Sequence, residues 1–244
     1  MSESLSHAFL AGVQQLGLSL TEQQSTQFLT FRRELLDWNT RMNLTAITDP
    51  EEVLIKHFLD SLSLLVAYSH EGAHVIDIGT GAGFPGLPLK IAHPDWQVTL
   101  LEATGKRVTF VRHVIEQLGL EHVEVVQGRA EDLAHKPEYR GRYDLVTARA
   151  VAAFSTLLEY CAPYCQVGGS IILPKKGDLT EELERGRHAA QQLGTVLQAE
   201  VPVQLPGLAD GRRLFVWTQQ KRCPAQFPRH GSAIAKRPLG QVFP

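Results

Sequence analysis

The sequence predicts an α/β fold in which a mainly parallel sheet ends in an antiparallel hairpin. Three observations predict it. From Val75 onward, strand-like apolar runs alternate with helix-like stretches, a glycine-rich turn follows the first run, and a short turn-rich connection joins the last two. Alternating strands and helices are typical of parallel sheets with right-handed crossovers, whereas a short connection favours antiparallel pairing.

The individual elements follow from hydrophobic spacing. In the first 70 residues, Phe28, Phe31 and Leu35 recur at helical spacing after a capping-box pattern at Thr21, which predicts an amphipathic helix. A second helix is predicted at 51–66, and together the two form an N-terminal helical cap. The predicted strands are 75–78, 98–101, 123–127, 145–148, 170–174, 201–205 and 214–218, and the main helices between them are 87–92, 106–118, 154–161 and 179–193.

Bulk composition limits the class of protein. The 244 residues are 43% hydrophobic and 20% charged, as in a globular protein with a real core. No apolar run approaches the roughly 18 to 20 residues that span a bilayer, and the N-terminus lacks a basic signal-like start, so we expect a cytoplasmic protein. The cysteines Cys161, Cys165 and Cys223 are spaced for neither a disulfide framework nor a zinc site, and no metal site is predicted.

Charge divides the chain unevenly. The whole chain carries −2, but residues 221–244 contain five Lys or Arg and no acid, which leaves −7 on residues 1–220. We therefore divide the chain into a helical cap (1–70), a cofactor-binding core (71–220) and a basic tail (221–244). A basic tail on an acidic body is typical of binding to an anionic partner. If fully extended, the tail would reach at most about 80 Å.

The glycine-rich turn offers the strongest functional signal. Gly81-Ala-Gly83-Phe-Pro-Gly86 fits the G-x-G-x-x-G pattern of dinucleotide folds, but its helix would have to open across Pro85. The alternative frame, Asp77-Ile-Gly79-Thr-Gly81-Ala-Gly83, begins at the end of the strand and fits a cradle for S-adenosylmethionine, whose cationic amino acid part favours a nearby carboxylate. A loop that only joins a strand to a helix is the third interpretation.

Further polar side chains follow the other predicted strands, where ligands gather in such sheets. Glu102 can accept hydrogen bonds from ribose hydroxyls. Glu131 or Asp132 could meet an adenine amino group, or could simply cap a helix. Arg149 could hold a carboxylate or phosphate, or could form a structural ion pair.

Cationic and histidine side chains suggest where a substrate would bind. Lys175 and Lys176 follow the fifth strand, where they could contact phosphate or remain solvated. His57 and Asp60 share one face of the second cap helix, so the carboxylate could orient the imidazole. As a catalytic dyad this pair is less favoured than as a local hydrogen-bonded pair.

Taken in order along the chain, these motifs resemble the bacterial RsmG family, once called glucose-inhibited division protein B. The resemblance runs from about residue 20 to residue 239, and its most specific elements are the H-F-L-D-S sequence at His57 and the G-F-P-G sequence ending at Gly86. The tail departs from the family at His230, where a second arginine is common, and at 242–244, which run past the usual end. The other motifs that carry it are Asn43-Leu-Thr45, Gly105-Lys-Arg107, Arg149-Ala-Val, Lys176-Gly177, Pro228-Arg-His-Gly and Lys236-Arg-Pro-Leu239.

The resemblance implies methyl transfer from S-adenosylmethionine to guanine N7 in 16S ribosomal RNA of the small ribosomal subunit. A monomer is the default expectation for an enzyme that approaches so large a substrate. It places cofactor contacts at Gly79, Phe84, Glu102, Ala103, Thr104, Ala130, Glu131 and Arg149. We add Asp77, Gly81 and Gly83 to the cofactor site. The predicted RNA-binding residues are Lys175, Lys176, Arg229, Lys236 and Arg237. Because N7 carries a lone pair and no proton, no general base is required, and His57, Asp60 and Lys176 are assigned at most to positioning the substrate.

Overall fold

A computed structural model describes residues 4–149 and 152–240, so residues 1–3, 150–151 and 241–244, among them Ala150, Val151 and the predicted extension at 242–244, lie outside the described residues. The helices are α1 (His7–Gln15), α2 (Glu22–Met42), α3 (Pro50–Val53), α4 (Asp60–Leu62), α5 (Gly86–Ala92), α6 (Gly105–Leu118), α7 (Ala130–Leu133), α8 (Phe154–Cys161), α9 (Thr180–Leu193) and α10 (Gly231–Lys236). The strands are β1 (His74–Ile78), β2 (Gln97–Glu102), β3 (Val123–Gln127), β4 (Tyr143–Thr147), β5 (Cys165–Lys175), β6 (Thr195–Pro202) and β7 (Arg213–Gln219). Among the described helices, none is long and apolar enough to cross a membrane.

The strands form a single sheet in the order β3-β2-β1-β4-β5-β7-β6. β1 to β5 run parallel, and β7 pairs antiparallel with both β5 and β6. The predicted α/β class, mainly parallel sheet and antiparallel C-terminal hairpin are confirmed. The strand order reverses between β1 and β4, and a crevice at the carboxyl ends of such strands is where ligands bind in open α/β sheets.

One strand was predicted in the wrong place. We expected a strand at 201–205, but β6 starts at Thr195, directly after Gly194 ends α9 with a φ of 77°. Burial alternates along β6, and the polar Gln198 and Glu200 occupy two of its four exposed positions. Half-buried strands of this kind lack the continuous apolar run by which the other strands were found.

The N-terminal helices cover one face of the sheet. α2 starts with the predicted capping box, since Thr21 N–H donates to Gln24 Oε1 (2.8 Å) and Gln24 N–H donates to Thr21 Oγ1 (3.2 Å). Phe28, Phe31 and Leu35 are fully buried, as their spacing predicted. Truncating such a buried phenylalanine to alanine costs about 3–5 kcal/mol, so this face fixes the cap on the core.

The second cap helix, predicted at 51–66, is not a regular α-helix. Its middle turn, Leu54–Leu59, is a π-helix, and this turn contains His57. Single π-turns widen a helix and are frequent at functional sites. An aromatic contact also joins the cap to the glycine-rich loop, because Phe31 stacks on Phe84 with the ring centroids 5.2 Å apart.

The basic tail folds back onto the core, so the extended reach considered above does not apply to the described tail residues. Phe227, Ile234 and Leu239 are buried. Burial of each apolar side chain of this size contributes about 1.5–3 kcal/mol to folding stability. This explains why the tail, although it was defined by its positive charge, packs on the core.

The path of the tail places α10 along the carboxyl edge of the sheet. A Cβ added at Gly231 would lie 2.3 Å from Oε1 of Glu131, which follows β3. One added at Gly240 would lie 2.0 Å from the carbonyl oxygen of Arg185, on α9. The tail therefore crosses from the end of β3 to the helix that follows β5.

Candidate active site

The glycine-rich loop turns tightly over the ends of β1 and β2. Gly79, Gly81 and Gly83 have φ angles of 71°, 62° and 93°, a region that glycine adopts readily. The N–H groups of Gly79 and Thr80 both donate to Leu101 O, at 2.8 and 3.0 Å. A Cβ built on Gly79 or Gly81 would meet nothing within 4 Å, so open space lies beside the loop.

Asp77 lies beneath this loop. It is completely buried, and its Oδ2 accepts a 2.9 Å hydrogen bond from the N–H of Gly86, the first residue of α5. Its Oδ1 and the Thr80 hydroxyl oxygen are buried with no hydrogen-bond partner in the described part of the chain. Burial raises the pKa of Asp77 to about 6, against the lowering effect of the hydrogen bond from the Gly86 N–H. Asp77 therefore orders the loop from below and leaves one oxygen unsatisfied.

Glu102, at the end of β2, ties two loops together. Its Oε2 accepts from the Gly81 N–H (3.0 Å) and its Oε1 accepts from the Thr104 N–H (2.8 Å). The Arg107 Nη1 atom lies 4.0 Å from the carboxylate. A carboxylate oxygen can accept more than one hydrogen bond, so this fixed carboxylate retains capacity for the hydroxyl groups of a ribose.

The segment after β3 is also held firmly. The Tyr164 hydroxyl donates to Ala130 O (2.7 Å). Glu131 is buried at the start of α7, and its Oε1 lies 3.8 Å from Arg129 Nη1. This segment stands beside Glu102, because Glu102 pairs with Gln127 in the β2–β3 register.

These observations test whether the site fits S-adenosylmethionine. The loop offers open space beside glycine backbone, Glu102 offers a fixed carboxylate for a ribose, and Asp77 has an unsatisfied buried oxygen. All three lie at the carboxyl ends of β1 and β2, the expected position of a nucleoside in this fold. The residues fit this cofactor.

Arg149 joins the cap to the core at the end of β4. Its Nη1 donates to Asp60 Oδ2 (3.0 Å), and its Nη2 contacts His57 Nδ1 (3.0 Å). Its guanidinium carbon also lies 5.0 Å from the centre of the Phe84 ring. His57 and Asp60 share a helix face, as predicted, but Arg149 bridges them instead of the carboxylate orienting the imidazole.

The hydrogen bonds of His57 fix its protonation. A guanidinium can only donate, so Nδ1 accepts from Arg149 and the ring hydrogen lies on Nε2. That nitrogen contacts Thr45 Oγ1 at 2.8 Å. Burial and the neighbouring Arg149 lower the pKa of His57 to about 3. The imidazole is therefore neutral at physiological pH, with both nitrogens engaged.

A cavity of about 650 Å³ opens beside this network. Arg212 donates to Asp60 Oδ1 and to Asp210 Oδ2, the latter at 2.7 Å. The adjacent Lys176 Nζ lies 3.6 Å from the same Asp210 oxygen. The cavity is lined by Ile47, Lys56, His57, Asp60, Arg149, Pro174, Lys175, Lys176, Leu179, Glu182, Leu208, Asp210 and Arg212. Its walls mix apolar surface with more cations than carboxylates, which suits a flat anionic substrate.

Comparison with known proteins identifies the family. A family model described as rRNA small subunit methyltransferase G (GidB) matches residues 24–208. The chain belongs to this family. The protein named "Ribosomal RNA small subunit methyltransferase G" from Dehalococcoides mccartyi (strain CBDB1) is 48% identical over 228 residues, or 93% of this chain and 97% of that one. Its namesake from Lachnoclostridium phytofermentans is 44% identical over 232 residues, or 95% and 96%. The family inferred from the motifs is confirmed.

Solved structures support the fold alone. A chain from a complex between the Haloferax volcanii Trm112 methyltransferase activator and a methyltransferase aligns with a TM-score of 0.55 at 15% identity, covering 77% of this chain and 98% of that chain. A protein described as a predicted O-methyltransferase from Agrobacterium tumefaciens gives 0.51 at 19% identity, covering 68% and 80%. The sheet of this family member is therefore of the methyltransferase type.

The predicted RNA-binding residues divide into two groups. Lys175 donates to Ala152 O and to Glu182 Oε1 (2.7 Å), and its side chain is 13% exposed. Arg229 is likewise committed to an internal ion pair with Glu159 (2.7 Å). Both cations therefore already have an internal ion-pair partner, although Lys175 still lines the cavity and the Arg229 side chain is 28% exposed, so their contact with RNA stays a prediction. Lys176, Lys236 and Arg237 are exposed.

Part of the site was not predicted from the sequence. Arg212 and Asp210 complete the charged wall of the cavity, but they lie in the β6–β7 connection, which we interpreted only as a turn. Their partner Asp60 precedes Arg212 by 152 positions, and no local pattern carries such a pairing. Arg107 and Arg129 also lie at the carboxyl edge and are 44% and 72% exposed. Arg129 lies two residues after β3 and Arg107 lies in the first turn of the helix that follows β2, and this closeness to strand ends was the available signal.

Proposed function

We propose that this chain transfers a methyl group from S-adenosylmethionine to N7 of one guanine in 16S ribosomal RNA. Family membership supports the ribosomal small subunit as the target. The observation that carries the reaction type is the state of His57, which is neutral and engaged at both nitrogens, so the cavity holds no imidazole ready to remove a proton. Guanine N7 is a nucleophile with a lone pair and no proton, so its methylation requires no group that removes a proton.

The cofactor would bind along the carboxyl ends of β1 to β4. Its sulfonium supplies an activated methyl group. Glu102 would accept from the ribose hydroxyls, with Ala103 and Thr104 lining the same turn, and the Ala130–Glu131 segment would meet the adenine. Asp77 would order the loop that contains Gly79, Gly81 and Gly83, and its negative charge would favour the cationic amino acid part of the cofactor. Phe84 is buried against cap aromatics, so its part is to seat that loop.

The guanine would enter the 650 Å³ cavity. Arg149 stands between the two sites, where it can hold the cofactor's carboxylate and border the guanine. His57 and Asp60 position Arg149, and Lys176 at the rim can contact an RNA phosphate. Catalysis then consists of placing N7 in line with the methyl group and excluding water.

RNA binding would depend on the exposed cations around this edge. The major groove of A-form RNA, where N7 lies, is too deep and narrow for side chains, so the target guanine must lie in a loop or be unstacked. Lys176, Lys236 and Arg237 would contact phosphates, joined by Arg107 and Arg129. Binding should therefore weaken steeply with salt. We place the reaction in the cytoplasm, on naked 16S RNA or a small subunit, by a monomer.

The chemistry of N7-methylguanine provides a direct test. Purified protein and radiolabelled S-adenosylmethionine are incubated with small subunits or 16S RNA from cells lacking the protein, and the labelled RNA is treated with borohydride and aniline, which cleave at N7-methylguanine. We expect label in RNA and cleavage at one guanine. Labelled RNA without cleavage would overturn N7 as the target.

Matched substrates separate the remaining alternatives. Label in a small molecule or protein, with none in RNA, would identify a methyltransferase of another class. RNA binding without calorimetric binding of S-adenosylmethionine would identify a non-catalytic RNA-binding module. The variant Arg185→Ala is a suitable activity control, because Arg185 lies on α9 with an exposed side chain and lines no part of the 650 Å³ cavity.

A further inference from the structure

A buried ion pair fixes the start of the tail. Glu159 of α8 is fully buried, and its carboxylate accepts hydrogen bonds from three groups of Arg229: the backbone N–H (2.9 Å), Nε (2.8 Å) and Nη2 (2.7 Å). A buried carboxylate that loses its partner is strongly destabilising. The tail is therefore held at Arg229 as long as α8 is folded.

Arg140 forms a second attachment. Its guanidinium donates to the carbonyls of Cys223 (3.0 Å), Pro224 (2.9 Å) and Phe227 (2.8 Å) in the tail. The same guanidinium donates to Ala134 O (2.9 Å), directly after α7. Arg140 therefore links the tail to the helix that carries Glu131.

Two further contacts bring the tail onto α7 itself. The Nε2 atom of His135 lies 3.0 Å from Pro228 O. At Gly231, an added Cβ would lie 2.3 Å from Glu131 Oε1 and 3.2 Å from its Cδ. Only a residue without a side chain at position 231 leaves the Glu131 carboxylate where it is.

We propose that the tail, residues 222–240, forms a wall of the cofactor site, in which Gly231 positions Glu131 to accept a hydrogen bond from the 6-amino group of the cofactor's adenine. This inference rests on the proposed function, which places adenine at Ala130–Glu131. It makes Gly231 a positioning residue, and it gives the tail a role in cofactor affinity that is separate from any contact with RNA.

Gly231→Ala tests this directly. Gly231 has no left-handed φ, and the atom that must move is the end of a flexible side chain, so we expect the fold to tolerate alanine while the carboxylate is displaced. Calorimetry with S-adenosylhomocysteine should give a Kd raised about tenfold, the size expected for losing a hydrogen bond to a charged group. The control is Ala235→Ser, an exposed change on the same helix, which should leave Kd unchanged.

A cofactor analogue separates a change in the position of the Glu131 carboxylate from a general loss of protein stability. Wild-type protein should prefer S-adenosylhomocysteine over its analogue lacking the 6-amino group by about tenfold. Gly231→Ala and Glu131→Gln should both reduce this preference. In the double variant the two effects should not add, because both act through one carboxylate. Thermal unfolding checks that each variant is folded.

The outcomes distinguish the inference from the function beneath it. If Glu131→Gln weakens binding and Gly231→Ala does not, the tail has no positioning role and the inference is overturned. If neither variant changes affinity or preference, adenine does not bind at Glu131, and the inference and that part of the proposed site are overturned together. Methyl transfer by the wild-type protein, measured separately, reports on the proposed function itself.

Discussion

The cap and the tail are both attached to the α/β core through an arginine and a carboxylate, but the two attachments differ in charge balance. On the cap side, Asp60 faces two arginines, Arg149 and Arg212, and all three side chains are partly exposed to a cavity. On the tail side, Glu159 is fully buried, and its ion-pair partner among the described residues is Arg229, whose side chain is 28% exposed. With Lys176 and Asp210 included, the first arrangement has three cations for two carboxylates beside a cavity, whereas the second has one cation matched to one buried carboxylate.

This difference teaches how to separate a binding arginine from a structural one. A matched, desolvated pair loses stability when it is broken, because a charge is left buried. Arg149 and Arg212 share one carboxylate and line a cavity, so replacing one of them should reduce activity more than stability.

The largest expected effect is on stability at the tail. Arg229→Ala leaves the buried Glu159 carboxylate unpaired, which should lower the free energy of unfolding by about 3–5 kcal/mol. Urea denaturation followed by circular dichroism measures it. Arg237→Ala, an exposed arginine on the same segment, should change it by less than about 0.5 kcal/mol. Similar small effects for both variants would mean that Glu159 is solvated, and the comparison would fail.

The second effect is on activity at the cap. Arg149→Ala should reduce kcat/KM for RNA methylation by about 100-fold, the cost of misplacing reacting groups by about 1 Å, with a smaller loss of stability than Arg229→Ala. Arg149→Lys should also be impaired, because lysine lacks the fork that joins Asp60 to His57. Unchanged methylation in a folded Arg149→Ala protein would make Arg149 a structural residue like Arg229.

How much of the fold and of the site could be predicted from the sequence depends on how far apart along the chain the interacting residues lie. The strands, the capping box at Thr21 and the glycine loop at Asp77 follow from residues close together in sequence, and they were predicted correctly apart from β6. The sequence assigned Arg149 to the cofactor site and Arg229 to RNA binding, and it named a protein partner for neither. What separates them is the partner, and Glu159 lies 70 positions before Arg229. Pairing over such distances comes from topology, which no local spacing encodes.

The third effect concerns pH and distinguishes the cap through His57. Its pKa is about 3 in the folded protein, against an ordinary value of 6.5. Because folding depresses this pKa, its contribution to stability is complete above pH 6.5 and is lost as the pH falls towards 3. Between pH 7 and pH 5, wild-type protein should lose about 2 kcal/mol more than His57→Gln. The raised pKa of Asp77 changes stability with pH in the opposite sense. Because Asp77 is present in both proteins, its contribution cancels in the difference between them.

The same histidine predicts the pH dependence of catalysis. With His57 neutral and no proton to remove from N7, the rate of methylation at saturating substrates should not change between pH 6.5 and 8.5 through an ionising base. A fall in rate with an apparent pKa near 7 that is absent in His57→Gln would contradict this prediction. His57 would then be a proton-transfer residue and not a positioning residue.

The smallest expected effect is on RNA affinity at the tail. Lys236→Gln with Arg237→Gln removes two exposed charges from the edge that carries the site, and it should weaken RNA binding about three- to tenfold at moderate salt. The slope of log K against log salt should fall by about 1.4 if both contact single-stranded phosphates. Filter binding across a salt series measures both quantities.

The matched control for that pair lies in the same tail at the opposite edge. Lys221 and Arg222 follow β7, which runs antiparallel to β5, so they lie near the amino ends of the parallel strands, away from the glycine loop. Replacing both with glutamine removes the same net charge. If RNA is held at the carboxyl edge, this variant should bind almost as wild type does. Equal losses from the two variants would mean that the tail acts only through its total charge, and the position of α10 would then matter for the cofactor alone.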